Sequence, residues 1–174
     1  GEIRDEETAR IAIQSSLTGH LVMSTVHTNS AAGAITRLRD MGIESFLLAS
    51  SLKTIISQRL IRRLCNKCKS ESKVSQVAID LLGLKKGQTV FSAKGCNDCD
   101  GTGFKGRIAI AESIQVGTVL KDMIHDEASE QDIQNVAFKD IQTIDQIGSE
   151  LLTKGLTSPE ELIRINNQKE DASV

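Results

Sequence analysis

The sequence contains few aromatic residues and no excess of either charge. Aromatic residues make up 2% of the chain, and all of them are phenylalanine, because tryptophan and tyrosine are absent. This lack removes the usual platform on which single-stranded nucleic acid stacks. The formal net charge of −2 gives no electrostatic basis for binding nucleic acid or an anionic membrane. We therefore expect no nucleic-acid partner.

Long apolar runs are also missing from the chain. No stretch is apolar for long enough to cross a bilayer, and nothing in the sequence resembles a signal peptide. These features predict a soluble protein in a reducing cytosol. The length of 174 residues is sufficient to bury a core, and it suits one domain or a small domain with appendages.

The four cysteines stand in two close pairs, Cys65 with Cys68 and Cys96 with Cys99. A CxxC motif presents two thiolates on one tight turn, and a second CxxC completes a tetrahedral sulfur site for zinc. Such a site has no open position, so its zinc is structural and not catalytic. The segment between the pairs is longer than in the commonest zinc ribbons, and unliganded thiols or redox-active pairs remain alternatives. Disulfides are not expected in a reducing cytosol.

The first part of the chain alternates between helix and strand patterns. Asp5 is placed to cap a helix that ends at Gly19. The β-branched segment HLVMSTVHT, residues 20–28, predicts a strand. A second helix, capped by Ser30 and stopped at Gly42, follows it. Helix, strand and helix in close order favour an α/β sheet layer.

The later segments are mostly helical in pattern. We expect SFLLASSLKTIISQRLIRRL, residues 45–64, to continue as a long and mainly helical segment, whereas the alternating IAIAESIQV predicts a strand. The sequence pattern of the C-terminal region predicts a series of helices. The last begins at SPEE, where Ser158 is the cap, Pro159 takes the first helical position and Glu161 completes a capping box.

Two histidines lie within the predicted strand. Side chains alternate along a strand, so His20 and His27, seven residues apart, are expected on opposite faces of the sheet. His27 lies at the carboxyl end of the strand, where open α/β sheets place ligands, and His20 lies at the other end. From the residues alone, each histidine is also explained as a polar residue of the core, and Glu2 as an ordinary carboxylate at a strand end.

A basic cluster precedes the first cysteine pair: Arg59, Arg62 and Arg63. One interpretation is a contact with phosphate or with a neighbouring subunit. The other is a solvated basic helix end, which the helix dipole favours.

A long stretch carries a family resemblance. The sequence GEIRDEETARIAIQSSLTGHLVMSTVHTNSAAGAITRLRDMGIESFLLASSL resembles the secretion ATPases of the bacterial type II secretion and type IV pilus superfamily. The likeness extends from Gly1 to about Ile165. It implies a P-loop ATPase domain of RecA type that assembles as a hexamer at the inner membrane.

The resemblance also implies roles for individual residues. GE resembles the end of the family's atypical Walker B motif, so Glu2 would be the catalytic carboxylate that polarises the attacking water. HLVMSTVHT resembles the family's histidine box, so His27 would lie near the γ-phosphate of ATP and His20 would share the catalytic site.

The cysteines select a branch of the superfamily. Assembly ATPases carry a tetracysteine module after QRLIRRLC, whereas pilus-retraction ATPases lack it. The stretch TRLRDMGIESFLLASSL is closest to the type II secretion form, and the type IV pilus assembly form is the alternative.

Nothing in the sequence matches GxxxxGK[ST], the loop that cradles the phosphates of ATP. We therefore expect this chain to be the C-terminal part of a longer cytoplasmic ATPase, starting within the Walker B motif and inactive alone. The intact protein would use ATP and magnesium and bind inner-membrane secretion platform proteins. An interaction module of the zinc-ribbon type, without hydrolytic activity, is an alternative of another class. An upstream reading frame that encodes a P-loop would exclude it.

These expectations give an α/β fold class: a partial RecA-like P-loop ATPase domain with an inserted tetracysteine zinc module and a helical C-terminal region. The predicted boundaries are 1–64 for the ATPase part, 65–103 for the zinc module, 104–167 for the C-terminal strand and helices, and 168–174 for a frayed tail.

Overall fold

The computed structural model describes the backbone of residues 1–171 and the side chains of residues 1–167. The described part contains eight α-helices and four β-strands. The helices are α1 (Glu6–Leu17), α2 (Gly33–Asp40), α3 (Ser45–Ser51), α4 (Gln76–Leu82), α5 (Thr118–His125), α6 (Glu130–Ala137), α7 (Ile144–Thr153) and α8 (Pro159–Asp171). The strands are β1 (Thr54–Leu64), β2 (Ser70–Lys73), β3 (Thr89–Ser92) and β4 (Phe104–Gln115). This mixture confirms the predicted α/β class.

The chain forms two compact units, each built from two stretches of sequence. The first unit comprises Gly1–Ser57 and Glu112–Ile141, and the second comprises Gln58–Ala111 and the chain from Gln142 onward. The domain boundaries drawn from the sequence remain a prediction, and each unit contains parts of more than one predicted segment. The predicted frayed tail overlaps the end of α8, and its last three residues, 172–174, lie outside the described residues.

The first unit packs helices around one apolar core. Helices α1, α2, α3, α5 and α6 all contribute buried apolar side chains to this core, among them Ala9, Ile35, Leu48, Ile124 and Ile133. The side chain of Ile3 joins the same core. Ile3 therefore anchors the chain directly after Glu2 to the packed interior.

The start of α1 agrees with the sequence analysis. Asp5 Oδ1 accepts a hydrogen bond of 2.8 Å from the backbone N–H of Thr8, which satisfies one donor of the first helical turn. This backbone hydrogen bond lowers the pKa of Asp5. The capping residue thus fixes where the helix begins, immediately after the segment that carries Glu2.

The prediction of a strand over residues 20–28 was wrong in extent. This segment makes one isolated parallel β-bridge, between Glu2 and Thr25, and is otherwise irregular. The N–H of Ile3 donates to the carbonyl of Thr25 at 2.9 Å, and the N–H of Thr25 donates to the carbonyl of Gly1 at 3.1 Å. A strand needs a partner over several residues, and among the described residues this segment pairs at the single bridge to Glu2.

The prediction of a long helix over residues 45–64 was also wrong. Helix α3 ends at Ser51, Leu52 has an extended ψ of 131°, and β1 follows. The β-branched residues Ile55, Ile56 and Ile61 favour the strand, and β1 pairs with β4. The basic cluster of Arg59, Arg62 and Arg63 consequently lies on a strand, so the helix dipole does not explain it. The alternating pattern of IAIAESIQV predicted β4 correctly.

The second unit combines a small antiparallel sheet with helices. Strand β2 pairs with β3, with Ser70 opposite Ser92 and Lys73 opposite Thr89, and α4 lies between these strands in the sequence. Its core is a second cluster of buried apolar side chains, including Ile61, Val90, Ile110, Leu152 and Ile165. None of the helices in the described ranges has the length and apolarity that a membrane span requires.

The side chain of Glu161 is the most deeply buried carboxylate of the second unit, with no exposed surface. Its oxygens accept hydrogen bonds from the backbone N–H and the guanidinium of Arg62, at 2.9 and 2.8 Å, and from Arg164 at 3.0 and 2.8 Å. Burial opposes ionisation, but the bonds from Arg164 and Arg62 outweigh it and lower the pKa of Glu161 to about 2. Ser158 caps α8 as predicted, accepting from the N–H of Glu161 at 3.4 Å. The carboxylate, however, joins α8 to β1 instead of closing a local capping box.

Replacement of Glu161 by glutamine is expected to lower the free energy of unfolding by about 2 kcal/mol at neutral pH, since charge-assisted hydrogen bonds are lost. Arg62 and Arg164 are 45% and 43% exposed, so water partly replaces the lost partner. The pKa of this carboxylate is depressed on folding. Its contribution is therefore complete above about pH 4.3, the unfolded value, and disappears as the pH falls toward 2.

Urea unfolding of the wild type and Glu161→Gln between pH 7 and pH 3 measures this effect. The exposed neighbour Glu160 provides the control, because Glu160→Gln should change stability little at any pH. A difference between wild type and Glu161→Gln that stays constant over this pH range would contradict the assignment.

Candidate catalytic pair and metal site

In the first unit, the structure brings Glu2 and His27 together. The β-bridge to Thr25 places the segment 24–27 beside Glu2, and Ser24 Oγ donates to the carbonyl of Gly1 at 2.6 Å. His27 Nε2 then lies 2.7 Å from Glu2 Oε1, with the imidazole largely exposed. The two residues to which the family resemblance assigns catalytic roles, Glu2 and His27, are therefore in direct contact.

The two oxygens of the Glu2 carboxylate have different environments. Oε2 lies 2.5 Å from a guanidinium nitrogen of Arg4. Oε1 is buried, and apart from the close contact with His27 it has no hydrogen-bond partner among the described residues. Buried oxygens in native proteins nearly always have a donor, so an unpartnered one indicates a strained or functional position.

Arg4 also keeps this carboxylate ionised. The hydrogen bond from Arg4 lowers the pKa of Glu2, burial acts in the opposite direction, and the charges of Arg4 and His27 lower the pKa further. An ionised carboxylate whose second oxygen accepts no hydrogen bond can accept a proton or a hydrogen bond from a water molecule.

The structure does not bring His20 into contact with this pair. Its Nδ1 lies 3.2 Å from the carbonyl of Ser15 and 3.3 Å from the hydroxyl of Thr18. Its backbone N–H donates to the same Ser15 carbonyl at 3.1 Å. The histidine therefore covers the C-terminal end of α1, where a donor satisfies the last carbonyl groups.

In the second unit, the four cysteines converge on one point. The N–H groups of Cys68 and Lys69 donate to the carbonyl of Cys65, and those of Cys99 and Gly101 donate to the carbonyl of Cys96. Each CxxC motif is thus a tight turn closed by its own backbone, as the spacing predicted.

The sulfur positions match those that a tetrahedral zinc ion requires. All four Sγ atoms lie within 4.8 Å of one another, with distances of 3.9 Å for Cys65–Cys96 and 3.7 Å for Cys68–Cys99 and Cys96–Cys99. A tetrahedron with zinc–sulfur bonds of 2.3 Å has edges of about 3.8 Å. All four cysteines are free, and these separations are far longer than a disulfide bond.

The electrostatics of the cluster favour a cation. Burial raises the pKa of Cys68 to about 12. Burial also opposes ionisation of Cys99, but the N–H groups of Cys96 and Gly103, which donate to its sulfur at 3.3 and 3.2 Å, lower the pKa to about 7. Four adjacent thiols cannot all ionise without a compensating charge, which a divalent metal supplies.

Glycines make the close packing of this site possible. A Cβ atom at Gly95 would lie 2.3 Å from the carbonyl oxygen of Gly101, and one at Gly103 would lie 2.5 Å from Cβ of Ala93. Both glycines have φ angles in the left-handed region, 96° and 76°. Gly103 also accepts a hydrogen bond from the N–H of Cys65, so it contacts both cysteine turns through its backbone.

Comparison with known protein families shows to which family the chain belongs. The family model for the type II/IV secretion system protein matches residues 1–164. The chain belongs to this secretion family. The type II secretion system ATPase E of Vibrio cholerae is 45% identical over 170 residues, which cover 97% of this chain and 34% of that protein. The type IV pilus assembly ATPase PilB of Thermus thermophilus is 42% identical, over 94% of this chain and 19% of its own length.

Solved structures agree on the fold of this secretion-family chain. The Legionella pneumophila ATPase DotB superposes with a TM-score of 0.63 at 17% identity, over 97% of this chain and 37% of that one. The pilus retraction motor PilT, solved with ADP, gives a TM-score of 0.64 at 24% identity, over 95% and 38%. The chain spans about a third of the length of the curated secretion relatives that it matches. The partial P-loop ATPase fold predicted from the sequence is confirmed.

Two ion pairs, Arg4 with Glu2 and Lys67 with Asp98, were not predicted from the sequence. Arg4 is two residues from Glu2, so the period of an extended segment places both on one face. At the third position of the two CxxC motifs, Lys67 and Asp98 carry opposite charges. Both signals were present in the sequence.

Proposed function

We propose that this chain supplies the water-activating carboxylate and a zinc-stapled module of an ATPase that powers type II protein secretion. The observation that carries the proposal is the ionised Glu2, whose buried Oε1 lacks a donor and lies beside His27. Sequence identity of 42–46% to secretion and pilus ATPases supports it.

In this mechanism Glu2 orients the attacking water through Oε1 while Arg4 holds Oε2. Hydrolysis requires the water to lie in line with the γ-phosphate of ATP, and magnesium and the phosphate-binding loop supply most of the charge stabilisation. His27, on the same carboxylate, would sense or stabilise the γ-phosphate. We retain His20 as a second family histidine of the site, although its contacts favour a role in closing α1.

The four cysteines would hold one structural zinc ion. The donor set, the sulfur separations and the closed geometry fit zinc, and no position is left open for a substrate. The zinc would therefore stabilise the second unit and take no part in hydrolysis.

The remaining features of the proposal concern the longer protein. It would form a hexamer, bind ATP and magnesium, and act at the cytoplasmic face of the inner membrane through secretion platform proteins. A role in type IV pilus assembly is the second candidate, which the similarity to PilB favours.

Assays of phosphate release test the proposal directly. We expect the chain alone to release phosphate from magnesium-ATP no faster than its own Glu2→Gln variant, because its sequence lacks GxxxxGK[ST]. A longer protein that contains this sequence together with such a loop should hydrolyse ATP. Activity of the chain alone that Glu2→Gln abolishes would contradict the first expectation, and an inactive longer protein that still binds ATP would favour the interaction-module alternative.

A further inference from the structure

An ion bridge joins the two cysteine turns on the outside of the metal site. Asp98 Oδ1 lies 2.8 Å from Nζ of Lys67, and Asp98 Oδ2 lies 2.8 Å from Nζ of Lys105. Lys67 stands between Cys65 and Cys68, and Asp98 stands between Cys96 and Cys99. One carboxylate thus links the two CxxC motifs directly.

The third member of the bridge comes from the strand that completes the site. Lys105 lies on β4, two residues after Gly103, whose N–H donates to Cys99 Sγ and whose carbonyl accepts from Cys65. The bridge therefore fixes three segments, and each supplies either sulfur ligands or hydrogen bonds to them.

The charges of the bridge also suit a metal-loaded site. Four thiolates around a divalent zinc carry a net charge of −2. Lys67 lies within the first cysteine turn and Lys105 two residues after Gly103, so a negative metal-loaded site attracts both ammonium groups. The bridge of two lysines and one carboxylate carries a net charge of +1, so it offsets part of the negative charge of the site, and Asp98 holds both lysines in place.

We propose that Asp98 is a positioning residue of the metal site, which with Lys67 and Lys105 fixes the separation of the two cysteine turns and slows the departure of the metal. This inference rests on the zinc site proposed above. An isolated surface ion pair contributes little, but here one carboxylate holds two cations across two turns that must stay together for all four sulfurs to bind.

Chelator-driven zinc release from the whole chain measures the effect. We expect Asp98→Asn to release zinc about three to ten times faster than the wild type, somewhat less than the loss seen when a direct partner of a metal ligand is removed. The difference should shrink at about 1 M salt, where the Debye length is about 3 Å. The cobalt-loaded variant should keep the absorption spectrum of tetrahedral four-thiolate coordination, because no ligand is changed.

Two further variants separate positioning from general destabilisation. Asp80→Asn removes an exposed aspartate of α4 and should leave the release rate unchanged. Lys67→Met should speed release, and Lys67→Met combined with Asp98→Asn should match Asp98→Asn alone, since that change already breaks the Lys67 pair. Lys67 is exposed, so its replacement tests the bridge even if Asp98→Asn fails to fold.

Three results would overturn the inference. Equal release rates for Asp98→Asn and Asp80→Asn would exclude a role for the bridge and leave the zinc site intact. If the double variant released zinc faster by the product of the two single-variant increases, Lys67 and Asp98 would act independently. A wild-type chain that binds neither zinc nor cobalt would remove the metal site and this inference together.

Discussion

Glu2→Gln, made in a longer secretion ATPase that contains this sequence, is expected to reduce steady-state phosphate release by about 10²–10⁴-fold, the usual contribution of a positioned general base. Nucleotide affinity should change little, because the substitution leaves the phosphate-binding loop untouched. The reason lies in Oε1, a buried oxygen without a donor. An amide at this position carries no charge to polarise a water molecule.

Two variants define the specificity of this result. Glu7→Gln, on the exposed surface of the first turn of α1, is the matched control and should retain full turnover. His27→Ala should lower turnover less than Glu2→Gln does, with a small effect on binding. Phosphate release and nucleotide binding are measured separately on the same preparations. Equal turnover of wild type and Glu2→Gln would remove Glu2 from the mechanism.

Cys65→Ser is expected to abolish stoichiometric zinc binding and to loosen the second unit. Structural zinc contributes on the order of 10 kcal/mol to the folding of small peptides, more than any single packing contact. Cys65 is buried and directly follows the last residue of β1, so loss of its bond to zinc should release the end of β1 and the first cysteine turn together. The first unit has its own core and should stay folded.

Metal analysis of reduced protein purified without chelators measures zinc binding. One zinc per chain is expected for the wild type and for the control Asn66→Ser. Amide hydrogen exchange measures the loosening of the second unit. In Cys65→Ser the exchange rates should rise in residues 58–111 but not in α1. A zinc content near zero in the wild type would exclude the assignment. Unchanged exchange in Cys65→Ser would show that the metal is not structural.

The features that the sequence predicted well depend on short-range chemistry. The CxxC spacing determines its own turn, and the Asp5 cap of α1 lies three residues from the N–H that it binds. Such contacts need no knowledge of the rest of the fold. The carboxylate of Glu161 was assigned to a local capping box, whereas its partner Arg62 is 99 residues away in the sequence.

The errors in secondary structure also concern contacts between segments that are distant in the sequence. Residues 20–28 have the composition of a strand, but among the described residues their β-pairing consists of the one bridge between Thr25 and Glu2. Conversely, Thr54–Leu64 contains residues that suit a helix, yet β4 provides a partner along β1. Pairing is a long-range property, and it overrides local preference.

The arrangement of the cysteine turns has a consequence for protein engineering. The two ends of the segment between these turns are held together at the sulfur cluster and again by the pairing of β2 with β3. Helix α4, which follows Ser75, lies within this closed loop. The entropy of closing a loop rises only slowly with its length. The exposed turn around Lys85, Lys86 and Gly87 is therefore a suitable place to insert a fluorescent reporter or an affinity peptide, because the added residues enlarge a loop whose ends are already fastened.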